Sequence, residues 1–417
     1  MERKRDYILG LIDQLSDEGE VVFLESQMDE HPSSKKSFLA ARPSAWIRST
    51  GRTITVYSEG NKSTFEGDPW EALSEFCEQH KDWMFGYLGY DLKDHLEDLE
   101  SGNEPVTNTP DMFFFIPELL IEFGRDRSVF SHKGEVPDLQ FETRGPAGVS
   151  LQLSKSIDRK HYEETIRLAQ NDIYEGEYYE INLSHPLEFD FEGHGLELYE
   201  KMRMLGPVPF GAYMSFDGIE VCSSSPERFL ARRGNKVWSQ PIKGTAPREG
   251  GVESARKLSE SEKERAENLM IVDLVRNDLN RVAKKGTVQV SKLFEIQSFE
   301  TVYQMVSTIE CEVPESADSI ELIKACFPMG SMTGAPKIAA MKAIDHYETY
   351  RRGIYSGAIG YFKPNGDFDL NVVIRTALID GSKLVYPVGG AITSDSIPEQ
   401  EWEETILKAK AITNLLS

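Results

Sequence analysis

The sequence predicts an α/β (α+β) protein, on three observations. Its first third is rich in β-branched and aromatic runs, and its remainder alternates such runs with helical periodicity. Its composition, 40% hydrophobic and 28% charged with 21 Phe and 16 Tyr, is globular rather than disordered or fibrous. At roughly 150 residues per domain, 417 residues allow two or three domains or one large layered one.

Taken in order, VVFLES (21–26), SAWIRST (44–50) and TITVYS (53–58) read as strands between Gly or polar breaks. Trp70, Leu73, Phe76 and Cys77 recur at helical spacing and predict a helix over 69–80. DWMFGYLGYD (82–91) returns to strand, with glycines where a close backbone approach is tolerated. The polar stretch 131–156, punctuated by Gly134, Pro137, Gly145, Pro146 and Gly148, is the expected boundary between an N-terminal region (1–150) and a larger region (151–417). A helix capped by Asp158 and closed by Gly176 follows. Longer helical patterns cover about 260–284, 336–348 and 399–415.

Forty-six Lys and Arg against 69 Asp and Glu give a formal net charge of -23, a field that repels nucleic acid. An anionic substrate then needs cations, metal or backbone amides gathered in one protected pocket. Four widely spaced cysteines and the absence of H-x-x-x-H pairing exclude zinc and haem frameworks. The most apolar stretch, 112–123, contains Pro117, Glu118 and Glu122 and is too short for a bilayer. The basic start is followed by Asp13, Asp17 and Glu18 before any apolar leader develops, so the cytoplasm is the expected compartment.

Four groups of residues carry candidate chemistry. Glu264 and Glu267 share a helical stripe with Ile271 and Leu274, and Glu401 and Glu404 repeat the device beside Lys408. Two inward pairs of acids would suit Mg²⁺, whereas two solvated acidic faces would give the same pattern. FPMGSMTGAPK (327–337), with Thr333 near a helix cap, and VGGAITSDS (388–396) are glycine-rich turns able to present N–H groups to an anion, or simply turns. Glu227 and Lys243 stand at neighbouring strand ends. Desolvation would lower the lysine's pKa and free its amine, and would raise that of the acid; the alternative is a structural ion pair.

Together these segments resemble the chorismate-utilising family, which includes anthranilate, aminodeoxychorismate, isochorismate and salicylate synthases. The likeness runs through VVFLES, GYLGYD, PDMFFFIPE, GEYYEINLS, SSSPERFL, PIKGT, ERAENLMIVDLVRNDL, FPMGSMTGAPK, RRGIYSGAIGYF, NVVIRTA and PEQEWEETILKAKA. It implies one sandwich of two antiparallel sheets with outer helices and chorismate in the cleft. It also implies Mg²⁺ on Glu267 and Glu404, with Glu264 and Glu401 assisting through water. Arg375 and Tyr355 would hold the enolpyruvyl carboxylate, the amides of Gly389, Gly390 and Ala391 the ring carboxylate, and Thr333 and Lys408 would line the pocket.

Within the family, the lysine of PIKGT marks the aminodeoxychorismate synthase branch, where anthranilate synthases usually carry a small residue. The resemblance makes Lys243 the nucleophile at C2 of chorismate and Glu227 the acid that protonates the departing C4 hydroxyl, after which ammonia enters at C4. Anthranilate formation for tryptophan synthesis is the alternative product. Glu180 stands where water-activating relatives have lysine and ammonia-using ones commonly glutamine, and Gln304 where many relatives have histidine. VVFLES resembles a tryptophan-binding segment, a likeness that core packing would also produce. No cysteine occupies a G-x-C-x-G elbow, so ammonia from glutamine is expected from a separate amidotransferase subunit.

Overall fold

The computed structural model describes residues 2–28, 36–124, 129–138, 148–300 and 302–416. The expected boundary segment therefore lies partly, at 139–147, outside the described residues.

The chain opens with α1 (Glu2–Glu18), β1 (Val21–Glu25), β2 (Ser37–Thr50), β3 (Thr53–Ser58), β4 (Asn61–Glu66), α2 (Pro69–His80), β5 (Met84–Leu88), β6 (Met112–Phe123) and β7 (Val129–Lys133). It continues with β8 (Ser150–Lys155), α3 (Arg159–Glu175), β9 (Glu180–Glu192), α4 (Gly195–Leu205), β10 (Phe210–Phe216), β11 (Ile219–Ser225), β12 (Arg228–Arg233), β13 (Lys236–Gln240) and β14 (Ile242–Pro247). The last part holds α5 (Gly251–Glu260), α6 (Glu262–Asn280), β15 (Gln289–Ser298), β16 (Val302–Glu312), α7 (Ser319–Cys326), β17 (Gly334–Ala335), α8 (Lys337–Tyr347), β18 (Ala358–Phe362), β19 (Phe368–Asn371), β20 (Thr376–Asp380), β21 (Lys383–Ile392) and α9 (Pro398–Thr413).

One antiparallel ladder threads these strands in the order β8-β9-β21-β20-β11-β10-β1-β2-β6-β5-β18-β19-β12-β13-β16-β15. It folds into two layers because β11 runs into β12, and β19 into β20, across a shared corner. Period-two alternation shows the layers directly. Val22 of β1 and Phe85 and Tyr87 of β5 enter one common inner core with Phe113, Phe216 and Ile359. Their neighbours Val21 and Phe23 pack outward with residues of α1 and α4. Met84 and Leu88 pack outward on the other layer with residues of α2 and α7. β6 explains the long apolar run: Phe113 and Phe115 face inward, while Met112 and Phe114 face the α2 side.

Helix ends follow local chemistry. Asp68 accepts from Trp70 and Glu71 at the start of α2, and Asp158 from Lys160 and His161 at the start of α3, which stops at the left-handed Gly176. The helix expected over 260–284 is α6, and a separate helix, α5, ends just before it. Ser261 takes an extended conformation, its hydroxyl accepts from the Glu264 amide, and α6 starts afresh. That break sets the rotation at which Glu264 and Glu267 meet the cleft. No described helix is long and apolar enough to cross a membrane.

VVFLES lies on a cavity of about 460 Å³ that shares none of the candidate site residues. Glu25 and Ser26 meet Phe210, Trp238 and Tyr361 on its wall.

Candidate active site

The corner between the layers positions the acid and the free cation. Glu227 sits in the break between β11 and β12, and Arg375 in the break between β19 and β20, at a left-handed φ of 52°. The two breaks are laced together by Val372 N–H to Glu227 O at 3.0 Å and Ser224 N–H to Arg375 O at 3.0 Å. Glu227 is buried and accepts from the Ser331 hydroxyl at 2.8 Å. Burial pushes its carboxyl up to about 7, against the opposing pull of Ser331, Lys243 and Arg375. Among the described residues nothing pairs with the Arg375 guanidinium, whose pKa burial lowers while Tyr386 and Glu227 oppose. Tyr355 is buried nearby, under the cation of Arg352 at 6.0 Å from its ring.

Lys243 lies in β14 and donates to Glu180 Oε1 at 3.0 Å, with Glu180 only 1% exposed. The expected fall in the lysine's pKa does not occur. Burial does pull it down, but Glu180, Glu267 and Glu404 together outweigh burial and hold it above the ordinary value. Lys243 is therefore an ammonium group in this state, and an amine nucleophile only after losing a proton.

The acid pairs face the same cleft. Gly244 makes room for the first: a Cβ there would stand 2.8 Å from Glu264 Oε2. Burial raises Glu264, with Glu404 adding to it, and raises Glu267 to about 7, with Glu264 adding to it. On α9, Glu401 is buried and accepts from Ser396 at 2.8 Å. Burial alone would raise Glu404 too, but Lys408, at 2.6 Å, with Lys243 and Lys263, holds it below its usual value. Lys408 also donates to Gly389 O at 2.8 Å. No three described His, Cys, Asp or Glu side chains already converge on an ion. The arrangement nonetheless fits Mg²⁺, which takes one or two carboxylates and completes its shell with water and substrate oxygens. Buried carboxylates that raise one another are the mark of a site short of positive charge.

One expectation about the glycine-rich segments needs correction. Gly389, Gly390 and Ala391 are not in a turn but in β21, paired with Ser184, Leu183 and Asn182 of β9. Alternate amides in that ladder are turned toward β9, so only the others remain for an anion. Gly389 serves close approach, since a Cβ there would meet Leu183 O at 2.5 Å, whereas one on Gly390 would make only ordinary contact, 3.5 Å from Glu401. Thr333 is wholly buried, with its hydroxyl donating to Met329 O at 3.2 Å, and Lys337 pairs with Asp278 at 2.7 Å.

Sequence reasoning missed Ser331, whose bond to Glu227 spans 104 positions, and the buried Arg352. That guanidinium binds Met332 O at 2.7 Å, Asn182 O at 2.8 Å and Glu348 at 2.6 Å, so it fixes the Thr333 loop against β9. Gln304 is buried in β16 opposite Thr245, with its Oε1 unpartnered.

Residues 21–414 match the family described as chorismate binding enzyme. Aminodeoxychorismate synthase component 1 of Escherichia coli K12 is 32% identical over 95% of this chain and 93% of its own. Aminodeoxychorismate synthase of Streptomyces griseus is 45% identical over 62% of this chain, a match spanning about a third (36%) of that longer protein. The crystal structure of anthranilate synthase component I from Streptococcus pneumoniae superposes with a TM-score of 0.81 at 27% identity, covering 93% of both chains.

Proposed function

The chain belongs to the chorismate binding enzyme family, and from that premise we propose that it is an aminodeoxychorismate synthase component 1, making 4-amino-4-deoxychorismate from chorismate and ammonia for p-aminobenzoate and folate synthesis. The observation that carries this reading is Lys243, within 3.0 Å of Glu180 and in the same charged cleft as Glu227, which stays half protonated near neutral pH. Arg375 and those amides of 389–391 not turned toward β9 bind the two carboxylates of chorismate, and Tyr355 walls the ring. Glu227 gives its proton to the C4 hydroxyl as that group leaves. Lys243 bonds to C2 and gives up one proton, which restores Glu227 to its acid form and leaves an alkylammonium adduct beside an ionised Glu180. Ammonia then attacks C4 and returns the lysine. Glu267 and Glu404, assisted by Glu264 and Glu401, would hold Mg²⁺, which neutralises and orients the ring carboxylate when bound.

Glutamine hydrolysis is assigned to a separate amidotransferase subunit. All four cysteines are free, and burial pushes the thiols of Cys77, Cys222, Cys311 and Cys326 up, away from the thiolate that such chemistry needs. The chain works in the cytoplasm in this reading. The experiment is chromatography of products from chorismate and Mg²⁺ with ammonium sulfate or with glutamine at alkaline pH, with and without an added lyase. Aminodeoxychorismate from ammonium alone supports the reading. Anthranilate as the main product, or glutamine-dependent turnover by the isolated chain, overturns it.

A further inference from the structure

β9 turns Ile181 and Leu183 into an apolar cluster beneath α3 and α8, so Glu180, Asn182 and Ser184 face the opposite side. On that side two acceptor oxygens have no partner: Glu180 Oε2, in a residue 1% exposed, and Asn182 Oδ1, in a residue 7% exposed. The Asn182 amide is oriented unambiguously, because its NH₂ meets the Ser331 carbonyl at 3.3 Å and that oxygen can only accept. Glu180 has its other oxygen on Lys243 at 3.0 Å. A buried acceptor left unsatisfied costs about 1–3 kcal/mol, and two on one face of one strand call for a shared donor. Ser331, whose carbonyl holds Asn182, gives its hydroxyl to Glu227, so the two orphan oxygens lie beside both proposed reacting groups.

We propose that Glu180 Oε2 and Asn182 Oδ1 form the site that receives ammonium, a small cation with N–H donors only. This rests on the amination reading above and adds the form in which the nitrogen enters. Ammonium donates to both oxygens and passes one proton to the Glu180 carboxylate, leaving ammonia with a lone pair. Ammonia forms the bond to C4 while the C2–nitrogen bond to Lys243 breaks and its electron pair returns to the lysine. The proton held by Glu180 crosses to the departing amine, restoring the Lys243–Glu180 ion pair, and the product carries the new C4 ammonium. Protons and charge balance without any other reactant.

The test has two arms on the full chain. Crystals of the wild type soaked in thallium(I), an ammonium-sized cation, should show an anomalous peak between Glu180 and Asn182 that Glu180→Gln abolishes. In steady-state kinetics with saturating chorismate and Mg²⁺, Glu180→Gln should raise the KM for total ammonium about tenfold or more. Its KM should then fall about tenfold per pH unit, tracking free ammonia, whereas the wild-type KM stays nearly constant. The KM for chorismate should change little. A wild type without the peak, where only water fills the space, overturns the proposal, as does a peak with ammonium kinetics unchanged by Glu180→Gln. Amination by the wild type at a carbon other than C4 would overturn the product assigned above while leaving this site standing.

Discussion

The Ser331 hydroxyl donates to the buried Glu227 carboxylate at 2.8 Å, and this bond holds the acid's pKa below where burial alone would put it. Removing it in Ser331→Ala withdraws support from the ionised form, so the acid form persists to higher pH. The alkaline limb of kcat should move up by roughly half to one pH unit, as one hydrogen bond to a charged group implies. A limb that stays in place or moves down in the pH profile contradicts Glu227 as the proton donor.

The same carboxyl costs stability once ionised. Its folded pKa of about 7 lies above the unfolded value, so its contribution is intact below about pH 4.5 and is lost as pH rises through 7. Glu227→Gln should therefore be nearly neutral near pH 5 and stabilising by up to about 3 kcal/mol near pH 8, while activity collapses. Urea denaturation at both pH values measures the difference.

For the metal, Glu404→Gln and Glu267→Gln each remove a charge at constant shape. Both should weaken Mg²⁺ binding about tenfold or more by calorimetry in the presence of chorismate, and lower turnover by orders of magnitude without loss of fold. Lys408 keeps its bond to Gly389 O at 2.8 Å, so Glu404→Gln should raise the KM for chorismate less than it lowers kcat. Unchanged Mg²⁺ affinity in both variants removes the assignment.

Lys243→Ala should abolish a chorismate adduct that intact-protein mass spectrometry detects in the wild type. It also leaves Glu180 without a cation in a buried place, so a loss of about 3–5 kcal/mol of stability is expected. The variant Lys243→Met in a Glu180→Gln background removes that buried charge and should recover most of the lost stability, while still forming no adduct. An adduct mapped to another lysine defeats the mechanism.

If Arg375, unpaired among the described residues, takes a chorismate carboxylate as proposed, Arg375→Lys should raise the KM for chorismate about 10- to 100-fold with a smaller effect on kcat. The reverse split, kcat falling with KM unchanged, would assign Arg375 to the transition state alone.

Much of this was legible before the fold was known, for identifiable reasons. The Asp68 and Asp158 caps, the Trp70-to-Cys77 spacing and the acid pairs at 264/267 and 401/404 are written within a few residues of one another. The start of α6 was legible too, since Ser261 and Glu264 have capping-box spacing; α5 before it was not singled out. What escaped is set by distant partners. The direction of the Lys243 shift depends on Glu180, 63 positions away, and burial without that carboxylate would have reversed its sign. The 389–391 segment looked like a turn because its glycines were judged alone, when the small size of Gly389 answers to the Leu183 carbonyl on β9.

The corner-turned ladder also governs how the protein comes to exist. β1 and β5 find one partner nearby, β2 and β6, but Val21 must wait for Ser215 and Phe85 for Tyr361, so the second edge of each early strand stays open until half or more of the chain has followed. Meanwhile β6 is apolar on both faces, and its inner face, with Phe113 and Phe115, waits for Met214, Phe216 and Ile359. Such non-local pairing makes folding slow and leaves sticky strand edges exposed in the interval. Overproduced protein should accordingly partition into aggregates at high temperature and recover at low temperature or with added chaperones. A fragment ending before β10 should be insoluble even though its own sequence is complete enough to form strands.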